Sequence, residues 1–460
     1  MKVFRIFTAV LLALAMLVSA VACSAGGQGS SGGEGDKPEA TAVPQEDLNE
    51  MYEKFQGTQL MRGIWVTPRL NAKDDQEIYD AEYKKVKDAG VNMIFTYGEP
   101  DSKNAMTKTL EACRKNGIKV MISLKRPESG STIKANLRTV EKYDSDPAVI
   151  GYNMIDEPNT SLFENIAKQY KAIREICSPD KIIMMNFFPN YANADQLGVD
   201  DSGNIYRAYL EKYFELADTD VVSFDFYPYR ADPSGDDNMY AMFIANTCEI
   251  MKAANERGLP AWGFVQCGEW AGTRTPKLGE LRMLSHFHLL FGLDCFTYFL
   301  YVTPINGETD EGFFKGMVEY DGTVRDTYDL VRQTAAEIDA MKGVYLDYNF
   351  KGLMYKNIPD SWKEHILPEF DLNDFANVKD IRTGREGNGI ICGCFEKDNG
   401  AKGLYLLNTD AYYNLSCTVE FEKETGYRVW GAGGIEQAGT AKEINFEFIS
   451  GEGKFVEITG

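Results

Sequence analysis

Residues 149–159 read Val-Ile-Gly-Tyr-Asn-Met-Ile-Asp-Glu-Pro-Asn, an apolar run that ends in two acidic residues and a proline. A short continuous apolar run bounded by turn residues is typical of a strand that is buried on both faces, as in a parallel sheet. The segment that follows, residues 162–176, has the spacing of an amphipathic helix. This stretch therefore predicts a β-strand followed by an α-helix, with Asp156 and Glu157 at the junction.

The same pattern repeats between residues 59 and 345. Amphipathic segments such as residues 80–88 and 103–116 separate the apolar runs and end near Gly or Asn, as helices commonly do. The predicted strands are residues 63–66, 92–95, 119–122, 149–152, 182–185, 221–224, 262–265 and 296–299. Such a series predicts an α/β fold, a closed (β/α)8 TIM barrel. No G-x-G-x-x-G follows the first strand, which argues against a dinucleotide-binding fold.

The pattern of apolar and polar residues changes after residue 345. Short runs in which apolar and polar residues alternate, such as residues 403–408 and 444–448, are separated by turn residues. This pattern predicts a C-terminal antiparallel β-sandwich over residues 346–460. The segment contains no cluster of catalytic residue types, so the chemistry is expected in the barrel, residues 59–345.

The N-terminus has the features of a bacterial lipoprotein. Residues 1–22 combine basic residues, a short apolar run and a small-residue stretch before Cys23, which predicts a signal peptide and an acylated Cys23. Residues 23–58 carry abundant Gly and Ser and predict a flexible linker. We therefore expect an extracytoplasmic protein, lipid-anchored to the cell membrane or cell surface. Cleavage without lipidation is the alternative.

Composition excludes several kinds of partner. The net charge of -21 argues against nucleic acid and suits neutral or cationic ligands. Three histidines and no paired cysteine spacing leave little for a metal site, so we expect no metal and no cofactor. The eight cysteines other than Cys23 are expected to be mostly buried thiols, with one or two disulfides as an alternative.

Carboxylates, amides and aromatic rings gather at the predicted carboxyl ends of the strands, where the active site of a TIM barrel lies. Rings that stack on sugar C–H faces and polar groups that bind hydroxyls suit a carbohydrate substrate. The candidate substrate-binding residues are Trp65, Tyr97, Asp156, Asn159, Asn186, Asp225, Tyr227, Tyr229, Gln266, Trp270 and Tyr301.

The Asp156-Glu157-Pro158 stretch resembles the Asn-Glu-Pro motif of the large clan of (β/α)8 glycoside hydrolases that includes cellulases and β-galactosidases. In that clan the motif ends strand 4, its Glu is the general acid/base, and a second Glu near the end of strand 7 is the nucleophile. The resemblance implies that Glu157 is the general acid/base of a glycosidase. The structural alternative is that the acids merely begin a helix.

Two departures from the clan pattern leave the second carboxylate open. Asp156 stands where the clan has Asn, and strand 7 ends at Gln266 instead of Glu. We take Glu269 as the catalytic partner, with Asp225 and Glu280 as substitutes. If Gln266 occupies the nucleophile's place, an inverting mechanism through Asp225 and water, or a non-catalytic carbohydrate-binding lipoprotein, becomes the alternative.

Overall fold

The structure is a computed structural model that describes residues 60–96, 102–304, 308–309, 312–341, 344, 346–384 and 389–459. The predicted signal peptide, the linker, Cys23 and Tyr97 lie outside the described residues. No helix within the described ranges is long and apolar enough to cross a membrane.

Eight parallel strands close into a barrel in chain order, with β8 pairing back onto β1. The strands are β1 Met61–Ile64, β2 Met93–Phe95, β3 Lys119–Ser123, β4 Val149–Asp156, β5 Ile182–Phe187, β6 Val222–Phe224, β7 Ala261–Gln266 and β8 Cys295–Phe299. The helices of this part are α1 Gln76–Asp88, α2 Lys103–Asn116, α3 Gly130–Tyr143, α4 Phe163–Arg174, α5 Ala194–Leu197, α6 Ile205–Leu216, α7 Asp236–Asn255, α8 Leu278–Leu290 and α9 Asp326–Asp339. The predicted TIM barrel is confirmed.

Strand β4 is longer than predicted and irregular at its end. Its pairing with β5 shifts register between Asn153 and Asp156, so that Asp156 lies opposite Asn186. An irregularity of this kind redirects the side chains that follow it. The strand can lie close to β5 because residue 151 is glycine: a Cβ there would meet the Ile182 carbonyl oxygen at 2.1 Å.

The remaining strands are antiparallel. A two-stranded pair, β9 Glu308–Thr309 and β10 Gly312–Phe313, follows β8. The C-terminal elements are β11 Asn349–Lys356, α10 Asp360–Lys363, β12 Val378–Thr383, β13 Ile390–Glu396, β14 Lys402–Asn408, β15 Leu415–Gly431, β16 Gly434–Phe448 and β17 Gly453–Ile458. Their strands pair as one sheet in the order β11-β13-β14-β17-β15-β12, with β16 on β15, consistent with the predicted β-sandwich domain.

The faces of this sheet have different partners. Cys392 and Cys394 of β13 lie in a separate small core of the β-domain, whereas Ile391 and Phe395, which alternate with them, belong to the core shared with the barrel. Period-two alternation thus lets β13 bury both of its faces. The eight described cysteines are free, and all but Cys177 are buried.

Helix α8 carries much of the contact between the barrel and the β-domain. His286 Nδ1 lies 2.6 Å from the Tyr405 hydroxyl oxygen, and Arg282 donates to the Ser450 carbonyl at 2.8 Å. A Cβ at Gly279 would meet the Ala411 carbonyl oxygen at 2.0 Å, so the first turn of α8 is in close backbone contact with a β-domain loop. Burial lowers the pKa of His286 to about 3, which makes it a neutral packing residue.

Candidate active site

Three carboxyl groups meet at the carboxyl ends of neighbouring strands. Asp156 is the last residue of β4, Glu157 follows it, and Asp225 follows β6. On β5 between them, the Asn186 Nδ2 donates to Asp225 Oδ1 at 2.7 Å and to Asp156 Oδ1 at 3.2 Å. The Ser223 hydroxyl donates to Asn186 Oδ1 at 2.9 Å, which sets the orientation of the amide. Asn186 therefore holds two of the acids in place.

The carboxyl groups of Glu157 and Asp225 lie within hydrogen-bonding reach of each other. Both side chains are buried, at 8% and 5% exposure. Burial, with the charges of Asp225 and Asp156, raises the pKa of Glu157 well above its usual range. Burial and the charge of Asp156 raise the pKa of Asp225 to about 8. Such a pair retains a proton at neutral pH, and Glu157 is the stronger candidate to carry it.

The backbone at Glu157 is in a left-handed conformation, with φ of 40°. A non-glycine residue there costs about 1–3 kcal/mol and is concentrated at functional sites. The Glu157 N–H donates to the Asn186 carbonyl at 2.9 Å, so the backbone is held against β5. The short 3-10 helix Thr160–Leu162 that follows is capped by Asn159, which accepts from the Ser161 N–H. Glu157 therefore does not serve as the cap of that helix.

Gln266 at the end of β7 is held by the neighbouring backbone. Its Oε1 accepts from the Tyr229 N–H at 2.9 Å, and its Nε2 donates to the carbonyls of Tyr229 at 3.1 Å and Arg274 at 2.9 Å. Both ends of the amide are used, and the side chain is fully buried. Gln266 therefore joins the loops after β6 and β7.

Replacing Gln266 with Glu restores the residue type of the glycosidase clan, yet we expect Gln266→Glu to destabilise the protein and not to raise its activity. An ionised carboxylate cannot donate to the two carbonyls, and each buried group left without its partner costs about 1–3 kcal/mol. Thermal unfolding and hydrolysis rates of the variant measure both effects. A more active protein of unchanged stability would contradict this assignment.

Glu269 lies in a different environment from the other acids. It forms an ion pair with Lys315 and accepts from the Thr275 hydroxyl at 2.7 Å. Partial burial works to raise its pKa, but the hydrogen bonds from Lys315 and Thr275 lower it overall. Glu280 is likewise engaged: it is buried and forms an ion pair with Arg274. In the described part of the chain, neither Glu269 nor Glu280 forms a hydrogen bond or ion pair with Glu157 or Asp225.

Two aromatic groups lie at this end of the barrel. The Tyr227 ring packs edge-on against Trp270 at 4.9 Å, and Trp270 in turn packs against Phe299 at 4.9 Å. The acids Asp225, Asp156 and Glu157 act electrostatically on Tyr227, which places this cluster beside them. Trp65 packs against Phe95 at 5.1 Å and is only 2% exposed, so most of its ring is in the core.

Three other predicted substrate-binding residues have structural contacts. Tyr229 is buried and donates to the Glu280 backbone carbonyl. The Asn159 amide donates to the carbonyls of Asp195 and Gln196. Tyr301 is buried, and Glu82 of α1 and Tyr328 of α9 are the charged and titratable groups that act on it.

Three residues outside the predicted set belong to the site. Tyr191 lies in the loop after β5, and burial together with the charges of Asp225 and Glu157 raises its pKa. The Arg230 guanidinium lies 5.1 Å from the centre of the Tyr191 ring. Arg126, in the loop after β3, acts through its charge on Asp156 and Glu157. The sequence could have suggested these three residues only by their positions after strand ends. The direction of a side chain in a loop does not follow from strand alternation.

Across the described ranges, no group of three or more His, Cys, Asp or Glu residues could hold a metal ion.

A closed (β/α)8 barrel with buried carboxyl groups at the strand ends is compatible with glycoside hydrolysis, which uses a pair of carboxyl groups. Residues 158–341 match the model of glycoside hydrolase family 42, described as beta-galactosidase. The matched segment begins directly after Glu157. This match agrees with the resemblance to glycoside hydrolases seen in the sequence.

Solved structures of similar fold include several glycosidases. The beta-galactosidase from Bacillus circulans sp. alkalophilus superposes with a TM-score of 0.57 at 10% identity, over 87% of this chain and 99% of that one. The beta-galactosidase from the psychrophilic Marinomonas ef1 gives a TM-score of 0.45 at 12% identity, over 61% of this chain. The present chain spans 60% of the length of that Marinomonas enzyme. No curated protein sequence matches the chain significantly.

Proposed function

We propose that the protein hydrolyses O-glycosidic bonds of oligo- or polysaccharides, with Glu157 as general acid/base and Asp225 as the second carboxylate. The observation that carries this proposal is the buried Glu157 and Asp225 pair at the ends of β4 and β6. Asp225 replaces Glu269 in this role because the Glu269 carboxylate is paired with the Lys315 ammonium and accepts a hydrogen bond from Thr275. The remaining substitute, Glu280, is neutralised by Arg274.

The proposed chemistry gives the two acids different roles. Glu157 gives its proton to the glycosidic oxygen as the bond from C1 to that oxygen breaks, and the Asp225 carboxylate bonds to C1. Water then attacks C1 while the Glu157 carboxylate takes its proton, which releases Asp225 and the sugar. Because the Asp225 carboxylate bonds to C1 before water does, this two-step route retains the configuration at C1.

The surrounding residues have supporting roles in this proposal. Asn186 orients Asp225 and Asp156. Asp156 adds a negative charge that keeps the proton on Glu157. Tyr227 and Trp270 offer aromatic surface for the sugar ring. A lipid on Cys23 would hold the enzyme at the outer face of the membrane; incorporation of labelled fatty acid that is lost in Cys23→Ala tests this anchor.

The direct test is hydrolysis of a broad glycan panel by a soluble version lacking residues 1–23, with the anomer of the first product read by NMR. Asp225→Asn is compared with Glu269→Gln, since each removes one carboxylate charge. Loss of hydrolysis in Asp225→Asn alone supports the assignment. Loss in Glu269→Gln alone returns the role to Glu269, and an inverted product refutes the retaining mechanism.

Gln266 stands where the clan has its nucleophile, and its amide is bound to the carbonyls of Tyr229 and Arg274. This favours a second candidate function, a non-catalytic carbohydrate-binding lipoprotein. Sugar binding without cleavage by any version of the protein would establish this alternative.

We expect kcat/KM to rise with pH to about 8 and to fall at higher pH. Burial and Asp156 raise the pKa of Asp225 to about 8, and Asp225 must lose its proton to act, while Glu157 must keep its own. Asp156→Asn removes the charge but retains an acceptor for Asn186, so the rising limb should move to lower pH. Profiles from about pH 5 to about pH 10 measure this. An unmoved rising limb would show that Asp225 is not the titrating group.

A further inference from the structure

Tyr412 lies in the β-domain loop between β14 and β15 and reaches the barrel. The Asp410 carboxylate accepts from the backbone N–H groups of Tyr412 at 2.8 Å and Tyr413 at 3.0 Å, which fixes the turn. The Tyr412 hydroxyl donates to Oε1 of Glu280, in the first turn of α8. The Lys277 ammonium lies 5.3 Å from the centre of the Tyr412 ring. Tyr412 is therefore held by its backbone and by its hydroxyl, although it is 54% exposed.

Glu280 shares its cation with another carboxylate. The Arg274 guanidinium donates to both oxygens of Glu280 at 2.7 Å and to Oδ2 of Asp236 at 2.6 Å. One positive charge thus serves two negative ones, and the Glu280 side chain is fully buried. A buried carboxylate needs hydrogen bonds to its remaining lone pairs. The Lys277 N–H, at 2.7 Å, and the Tyr412 hydroxyl supply them.

Arg274 joins the loop after β7 to the loop after β6. Its backbone N–H donates to the Tyr229 carbonyl at 3.1 Å, and its guanidinium lies 5.2 Å from the centre of the Tyr229 ring. Its own carbonyl accepts from Gln266, at the end of β7, at 2.9 Å. The Tyr229 hydroxyl donates to the Glu280 carbonyl, so α8 belongs to the same group of contacts. A displacement of the Glu280 and Arg274 pair therefore acts on both loops.

The same two loops carry an aromatic wall, Tyr227 and Trp270. The Ala231 N–H donates to the Gly272 carbonyl at 3.0 Å, which pairs the loops along their backbones. Earlier in each loop, Tyr227 and Trp270 pack edge-on with ring centres 4.9 Å apart. Tyr227 follows Asp225 by two residues. The contacts that fix the loops therefore also fix the wall next to this acid.

We infer that Tyr412 is a positioning residue for sugar binding, and that it acts through Glu280 and Arg274. By fixing this pair, the β-domain holds the aromatic wall in the position that receives the sugar ring. This role rests on the proposed function, in which that ring is bound beside the two acids. It gives the β-domain a part in substrate binding without a catalytic residue of its own.

Tyr412→Phe removes the hydroxyl and keeps the ring. We expect KM for a glycan that the parent cleaves to rise about 3-fold to 10-fold, because part of the lost hydrogen bond to a charged acceptor reaches the aromatic wall. The acids keep their contacts, so kcat and its pH profile should not change. Steady-state kinetics of the soluble version measure these values. The control is Tyr320→Phe, the same change in an exposed turn beside α1, which should leave KM unchanged.

Amide hydrogen exchange, followed by mass spectrometry, tests the positioning without any substrate. Residues 270–277 should exchange faster in Tyr412→Phe than in the parent, and residues 182–187 of β5 should exchange at the same rate. Unchanged exchange in residues 270–277 would overturn the inference. Faster exchange in β5 as well would do so too, since it would indicate a general loosening of the barrel.

The kinetic outcomes separate this inference from the proposed function. An unmoved KM, or a fall in kcat alone, would overturn the role of Tyr412 and leave hydrolysis established. If the parent cleaves no glycan, the proposed function fails, and dissociation constants of a bound glycan for the parent and Tyr412→Phe decide the role of Tyr412 instead. A protein that neither cleaves nor binds any glycan would refute both.

Discussion

Glu157→Gln is expected to lower kcat for a natural glycoside by about 10²–10⁴-fold, the usual contribution of a general acid. Glutamine has nearly the same shape but cannot transfer a proton to the glycosidic oxygen. The loss should be much smaller for an aryl glycoside with an acidic phenol as leaving group, because such a group departs without protonation. Rates for a series of leaving groups with the parent and the variant measure the difference.

The matched control is Glu164→Gln, the same substitution at an exposed position in the first turn of α4. It should leave the rates unchanged. A uniform loss across all leaving groups in Glu157→Gln would indicate damaged binding or folding and not a missing acid. Equal rates for Glu157→Gln and the parent on natural glycosides would remove Glu157 from the mechanism.

Asp225→Asn is expected to make the folded protein more stable while it removes activity. Burial raises the pKa of this carboxyl from 3.8 to about 8. At neutral pH the folded protein must therefore either keep Asp225 protonated or bury its negative charge. At about 1.4 kcal/mol per pKa unit, the penalty is on the order of a few kcal/mol. Asparagine still offers an acceptor to Asn186 and avoids this penalty.

The sign of the effect follows from the raised pKa. Below about pH 4 the carboxyl is protonated in both the folded and the unfolded chain, so the substitution should change little. As pH rises, the unfolded chain ionises while the folded chain does not, and the advantage of Asp225→Asn should grow until about pH 8. Thermal unfolding over this pH range measures it, with Asp201→Asn on the exposed surface as the control. A variant that is less stable at every pH would contradict the prediction.

The sequence by itself determined the barrel. Each strand is buried on both faces and therefore appears as a short apolar run, and the amphipathic spacing between runs marks the outer helices. The alternating pattern after residue 345 likewise identified the antiparallel domain. The order of strands placed Glu157 and Asp225 at one end of the barrel, because the carboxyl ends of parallel strands meet there.

Only the tertiary structure decided which of the strand-end residues face one another. The register shift in β4 and the left-handed backbone at Glu157 turn its carboxyl group toward Asp225. The loop after β7 carries Glu269 to Lys315. Past the end of a strand the side-chain direction depends on loop backbone angles and on partners distant in sequence. Sequence periodicity does not predict these backbone angles or these distant partners, because a loop has no repeating geometry.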